Sequence, residues 1–276
     1  MPVNSYFSDV FRGCCSVCRE GVAVLIHGYF DESSEGSCQD GIFSVSGYVL
    51  DRNSAVSLEV DWAAMLNLYR LKFFHMCECN SNSGEFAKNT GEECDLCARE
   101  AIRIAKKYPL HGRATVLVKS DYIEILQNEG FDCDPYTFLV WYMFVQMNKW
   151  VKESRPESKM TLFFEDGYQA APQAKSLLRI FKDEGRAGKN CLSAYAFVQK
   201  EESLPTQAAD LIAWHIRKGY ENMKKNRPIR QDTKALFEGN IILTEEFTRD
   251  KLMHLRSKFL TSHNNLREAS DSLFRP

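Results

Sequence analysis

The feature that most constrains this chain is the order in which its apolar runs change period. Two β-branched and aromatic runs come first, VAVLIHGYF over residues 22–30 and IFSVSGYVL over 42–50, joined by a turn-rich loop at 31–36. They read as buried strands of a hairpin. From there the pattern alternates. Helical spacing over 54–69, a short strand or extended segment at 72–76 and an amphipathic helix over 92–107 lead into a strand at 113–119. Pro135 opens a hydrophobic helix over 136–152, and KMTLFF at 159–164 is a strand. A helix at 171–184, the strand LSAYAFVQ at 192–199 and a helix at 204–217 complete the series, with Ser203 as cap and Pro205 in the first turn. Hairpin pairing followed by strand–helix alternation predicts an α/β fold, a mixed sheet with helices packed on it.

No internal repeat or long linker divides the 276 residues. The chain reads as an N-terminal arm at 1–20, a main domain at 21–218 and a helical C-terminal extension at 219–276 packed on the same domain, with helices expected near 232–237 and 245–259. Thirty-seven acids against thirty-five Lys and Arg leave a net charge of −2, so no global basic field advertises a nucleic-acid partner. Residues 215–234 are locally basic, with seven Lys and Arg against two acids: either a track for a phosphate backbone or a solvated face. The longest strongly apolar run, FLVWYMFV at 138–145, is far short of the ~20 residues a bilayer requires and reads as core packing. Asp9, Arg12, Arg19 and Glu20 interrupt the N-terminus, which lacks a signal-peptide pattern, so a cytoplasmic protein is expected.

In a reducing compartment the ten cysteines are expected as thiols. Cys77, Cys79, Cys94 and Cys97 form one short-spaced group, and Cys14, Cys15 and Cys18 another. Either suits zinc by residue type, but C-x-C is the less common half-site, and small packed thiols are the favoured reading.

Three acids stand out by position. Asp31 follows the first strand, Glu165 follows KMTLFF, and Asp210 lies inside the apolar helix QAADLIAWHI. Strand ends are common places for sites. An acid in an apolar helix needs a partner, which a hard divalent cation supplies. Singly, each has a plainer reading: Asp31 caps a turn, Glu165 pairs with a lysine, Asp210 bonds to nearby backbone. Glu32 and Asp166 compete for the same roles, but strand alternation sends neighbours to opposite faces.

The segments YFDESS, LFFEDG and LPTQAADLIAW resemble the signature blocks of the family catalogued as domain of unknown function 3800, mostly bacterial and phage proteins. The matching residues are Asp31-Glu32-Ser33, Glu165 with Gly167, and Gln207 with Asp210 and Trp214; Phe74-His75-Met76 and Lys200 are also similar to family positions. Ser34, where members often carry Gly, and the cysteine-rich additions depart from the pattern. The resemblance implies a ribonuclease H-like fold and an acid triad of Asp31, Glu165 and Asp210 holding Mg²⁺ or Mn²⁺. It further implies a metal-dependent nuclease or phosphodiesterase acting on DNA or RNA through metal-activated water. Lys200, Gln207 and His75 are the expected substrate contacts, Lys200 and Gln207 alternatively orienting the metal carboxylates, with plainer readings as a strand-end lysine, a capping amide and a core or rim histidine. No G-x-S-x-G or Walker motif offers another chemistry. The alternatives are a non-catalytic protein on the same fold that binds nucleic acid or a partner, and a zinc-stabilised interaction module.

Overall fold

The computed structural model describes residues 24–35, 41–239 and 242–261; the expected arm at 1–20 and Cys14, Cys15, Cys18 and Cys38 lie outside them. β1 (Leu25–Ser34) and β2 (Ile42–Asp51) form the expected hairpin, in register from Ile26 opposite Asp51 to Ser34 opposite Phe43. β2 pairs antiparallel with β3 (His111–Val118). On its other side β1 pairs in parallel with β4 (Lys159–Glu165), which pairs in parallel with β5 (Leu192–Val198). A sixth strand, β6 (Ile242–Phe247), joins β3 in parallel, giving the order β5-β4-β1-β2-β3-β6. An antiparallel meander extended by two parallel strands on its first strand, with helices on both faces, is the mixed α/β sheet that the sequence predicts.

Strand alternation divides the core in two. Tyr29, Tyr48, Leu50, Ala114 and Val116 face one helical layer. It is built from α1 (Arg52–Tyr69), α2 (Met76–Ser81), α3 (Gly91–Lys107), α7 (Leu204–Lys224) and α8 (Gln231–Phe237). Ile26, Phe30, Phe43, Val45 and Val49 face the other. That layer holds α4 (Lys119–Ile125), α5 (Pro135–Ser154), α6 (Ala171–Arg186) and α9 (Arg249–Thr261). The apolar run in α5 is core, as its sequence implied: Phe138, Leu139, Val140, Trp141, Met143 and Phe144 are all buried. Among the described residues no helix is long and apolar enough to cross a membrane.

Four expectations need correction. β1 continues through Asp31 and Glu32 to Ser34, because β2 supplies ladder partners for residues read as a loop. Residues 72–75 are not a strand; they lead into α2, whose N-cap is His75. α7 runs through the boundary placed at 218 and ends near Lys224. The C-terminal extension is not wholly helical. Ile242, Leu243 and Thr244 begin a strand where helix was expected at 245, because the free edge of β3 offers them a ladder.

α7 is almost wholly buried, since it lies on β1 and β2 and carries other helices on its outer side. Tyr48 donates to the Pro205 carbonyl at 2.6 Å and so ties the start of α7 to β2. Ser44 donates to the Ala213 carbonyl at 3.3 Å further along. His215 docks α8, with Nδ1 2.9 Å from Thr233 Oγ1.

Two outcomes follow. A Cβ on Gly47 would collide with the Tyr29 carbonyl oxygen and sit 2.9 Å from the Phe30 Cα, both backbone atoms of β1. Gly47→Ala is expected to cost about 2 kcal/mol or more in urea unfolding. Gly91→Ala, where nothing lies within 4 Å, should be neutral or slightly stabilising. The second outcome concerns pH. Burial lowers the His215 pKa from 6.5 to about 4, with Asp232 opposing. Between those values the unfolded chain binds the proton and the folded chain does not, so this contribution to stability is present above pH 6.5 and is lost as pH falls toward 4. His111, also lowered to about 4 by burial, acts in the same direction. Urea midpoints should fall over that window, and less steeply in His215→Gln.

Candidate active site

The three acids arrive from different elements. Asp31 stands near the C-terminal end of β1, Glu165 is the last residue of the parallel neighbour β4, and Asp210 lies in the second turn of α7. β1 and β4 are paired side by side, so their C-terminal ends share one rim of the sheet, and α7 crosses that rim. The short 3-10 turn Lys200–Glu202 after β5 brings in a fourth residue, Lys200.

All three carboxylates converge on the Lys200 ammonium. Nζ lies 2.9 Å from Glu165 Oε2, 3.0 Å from Asp210 Oδ1 and 3.5 Å from Asp31 Oδ2. Acids 134 residues or more apart from Asp31 in the chain thus meet at one point. The cluster is largely buried: Asp31 is 2% exposed, Asp210 5% and Lys200 8%, while the Glu165 side chain keeps 20%. Burial pushes the Asp31 carboxyl well above the usual range; Lys200 opposes this, and Glu32, Glu165 and Asp210 add to it. Burial also disfavours charge on Lys200, but Asp210, Asp31 and Glu165 outweigh it and raise its pKa. Lys200 is therefore an ammonium at neutral pH.

Each aspartate is also anchored by backbone. The Glu32 N–H donates to Asp31 Oδ1 at 2.7 Å. The Met76 N–H, at the start of α2, donates to Asp210 Oδ2 at 2.7 Å. In both residues the remaining oxygen faces Lys200, and Asp31 Oδ2 accepts no hydrogen bond within the described residues. His75 stands at the rim, about one third exposed, with Nε2 3.8 Å from Asp210 Oδ1 and Nδ1 3.4 Å from Glu78 Oε1. Among the expected substrate contacts it has the exposure that a contact requires.

Gln207 has no exposure and every polar atom engaged. Oε1 accepts from Trp62 Nε1 at 3.0 Å and from the Phe74 N–H at 2.9 Å, and Nε2 donates to the Lys200 carbonyl at 2.8 Å. The expectation of substrate contact gives way to a positioning place, because one amide clamps α1, the His75 segment and the Lys200 turn to α7. Lys200 is likewise turned inward, onto the acids. Trp62 and the Met76 and Phe74 amides were not foreseen. Nothing in a local pattern marks a backbone N–H, 134 residues away, as the partner of an acid.

Of the competing acids, Asp166 turns away from the cluster, while Glu32 stays electrostatically coupled to it through Glu165, Asp31 and Lys200. Asp166 pairs with Lys175 at 2.9 Å, away from Glu165. Glu32 is pushed up to about 7 by burial and by Glu165, and its Oε2 has no hydrogen-bond partner within the described residues. In the basic run 215–234, Arg217, Lys218 and Lys225 all pair with Glu221, and Arg230 pairs with Asp232. Most of that run is consumed internally. Arg217 Nε also donates to Ser33 Oγ at 2.9 Å and ties the end of β1 to α7. Cys79, Cys94 and Cys97 are buried in the core beside α3, while Cys77 is exposed. Burial pushes the Cys79 thiol up to about 12 and raises Cys94 and Cys97.

By residue type the triad, three carboxylates, is the donor set a hard cation takes, with one oxygen of each aspartate engaged by a backbone amide. Its centre is held by an ammonium, and no group of three or more His, Cys, Asp or Glu among the described residues stands arranged for a metal ion.

No protein-family model and no curated protein matches this chain. Among solved structures, a glutamine-to-alanine mutant of Bst ribonuclease HIII aligns at a TM-score of 0.38 and 16% identity, over 74% of this chain and 54% of that one. The chain spans about half the length of that protein.

Gln207→Leu should expose how much this clamp contributes. It leaves the Trp62 indole, the Phe74 amide and the Lys200 carbonyl without their partners, and should cost about 3 kcal/mol in urea unfolding.

Proposed function

We propose that the chain is a metal-dependent nuclease or other phosphodiesterase of the family catalogued as domain of unknown function 3800, with Asp31, Glu165 and Asp210 as ligands of Mg²⁺ or Mn²⁺. The observation that carries this reading is the meeting of three acids, from two adjacent parallel strand ends and a buried helix, within 3.5 Å of one point. Buried carboxylates gathered in excess of the local positive charge are costly to stability, and such clusters are characteristic of sites.

A bound divalent cation supplies an activated water and charge compensation for phosphodiester hydrolysis. The protein's own part is positioning. Asp31 and Asp210 each keep one oxygen on a backbone amide and present the other inward. Glu165 completes the set from the neighbouring strand. His75, partly open to solvent and 3.8 Å from Asp210, is placed to meet a substrate phosphate at the rim. The nucleic acid itself, DNA or RNA, is part of the proposal.

One observation favours the second reading, a non-catalytic nucleic-acid-binding or partner-binding protein. Lys200 gives the acids a protein cation, so they form a complete ion-pair cluster as they stand. The test separates the two. Purified protein is melted with and without Mg²⁺ or Mn²⁺ and assayed on single-stranded, duplex and hybrid nucleic acids. The nuclease reading expects a metal-dependent rise in Tm and cleavage of at least one substrate. Asp210→Asn and Asp31→Asn should fold, lose the Tm response and cleave slower by about two orders of magnitude or more. No cleavage and no metal response in the wild type would leave the binding reading standing.

A further inference from the structure

We propose that Lys200 is a built-in counter-cation, whose ammonium holds the place between Asp31, Glu165 and Asp210 that a divalent cation takes, so that each excludes the other. This inference rests on the proposed function and adds to it a regulation of metal occupancy by the chain itself.

The geometry is that of a substitute ion. Nζ is within 3.0 Å of oxygens from Glu165 and Asp210 and within 3.5 Å of one from Asp31, and each aspartate offers it the oxygen that backbone does not hold. A cation at that centre would meet the ammonium as a like charge in a largely buried pocket, where repulsion is weakly screened. Both therefore cannot remain.

The chain also lets the ammonium leave without disturbing the ligands. The Lys200 backbone is pinned, since its carbonyl accepts from Gln207 Nε2 at 2.8 Å. Its side chain is a flexible four-carbon stem with a compact charge at the tip. The side chain retains 10% exposure, so it is not wholly enclosed by protein. The aspartates do not depend on Lys200 for orientation: the Glu32 and Met76 amides keep them in place when it departs. A displaced ammonium tethered at the rim of the site is then available to a phosphate oxygen of the substrate. Cation entry and substrate engagement are coupled through one side chain.

Isothermal titration of the purified full chain with Mn²⁺ alone tests this. Lys200→Met keeps the stem and removes the charge. Its metal-free form should melt lower than wild type, and its Mn²⁺ affinity should be tighter by about tenfold or more, because the uncompensated carboxylates gain more from the ion. Lys200→Arg keeps the charge in a planar fork that holds carboxylates more firmly, and should bind Mn²⁺ more weakly than wild type. If wild type binds Mn²⁺ and Lys200→Met binds it no more tightly, Lys200 does not compete; this inference falls and the triad reading stands. If neither wild type nor folded Lys200→Met binds Mn²⁺, the triad reading itself falls. Should Lys200→Met not fold without metal, Lys200→Arg decides: affinity equal to or tighter than wild type overturns the proposal.

Discussion

Three carboxylates sharing one ammonium in a largely buried pocket is the interaction around which the rest of this protein is organised. Burying Asp31 and Asp210 is unfavourable unless each finds compensation, and Lys200 supplies it for both at once while reaching Glu165. The compensation is incomplete in charge, since one cation faces three acids. It persists because the surroundings hold the acids together. β1 and β4 are locked side by side by their ladder, and α7 is wedged between the sheet and an outer tier of helices. The strong packing of the two cores maintains a polar cluster that repels itself.

Gln207 and the N-terminus of α2 connect that cluster to the scaffold. One buried amide bonds to α1, to the segment before His75 and to the turn that carries Lys200. The Met76 amide fixes Asp210. The Gln-x-x-Asp spacing puts both side chains on one face of α7, so one helical turn positions the ammonium through its backbone and receives it through a carboxylate. These residues act by position, and Gln207 has no surface with which to meet a ligand.

Charge elsewhere is spent inside the molecule. The basic run after α7 begins looked like a track for phosphates, yet Glu221 alone takes three of its cations. A count of charges along a sequence sums residues that helical geometry places against one another at i+3 and i+4.

Much was legible from residues alone. β-branched runs and the hydrophobic helix behind Pro135 marked most strands and helices, because periodicity reports which face is buried. The acids of the triad were visible as polar residues at strand ends and in an apolar helix, where a charge demands a partner. Residues 31–34 and 242–247 were misread because their strand state depends on ladder partners supplied by β2 and β3, which local pattern does not contain. Which partner each acid takes was also beyond a linear reading. Asp210 bonds to the Met76 backbone and Lys200, Asp166 turns to Lys175, and Gln207 serves three segments. The sequence by itself determined the layers, the candidate acids and the helix that carries one of them, since burial preference is a property of each side chain. Only the tertiary structure decided that Lys200 stands at their centre, because the position of a charge relative to distant charges is set by how strands and helices pack, and no residue carries that information alone.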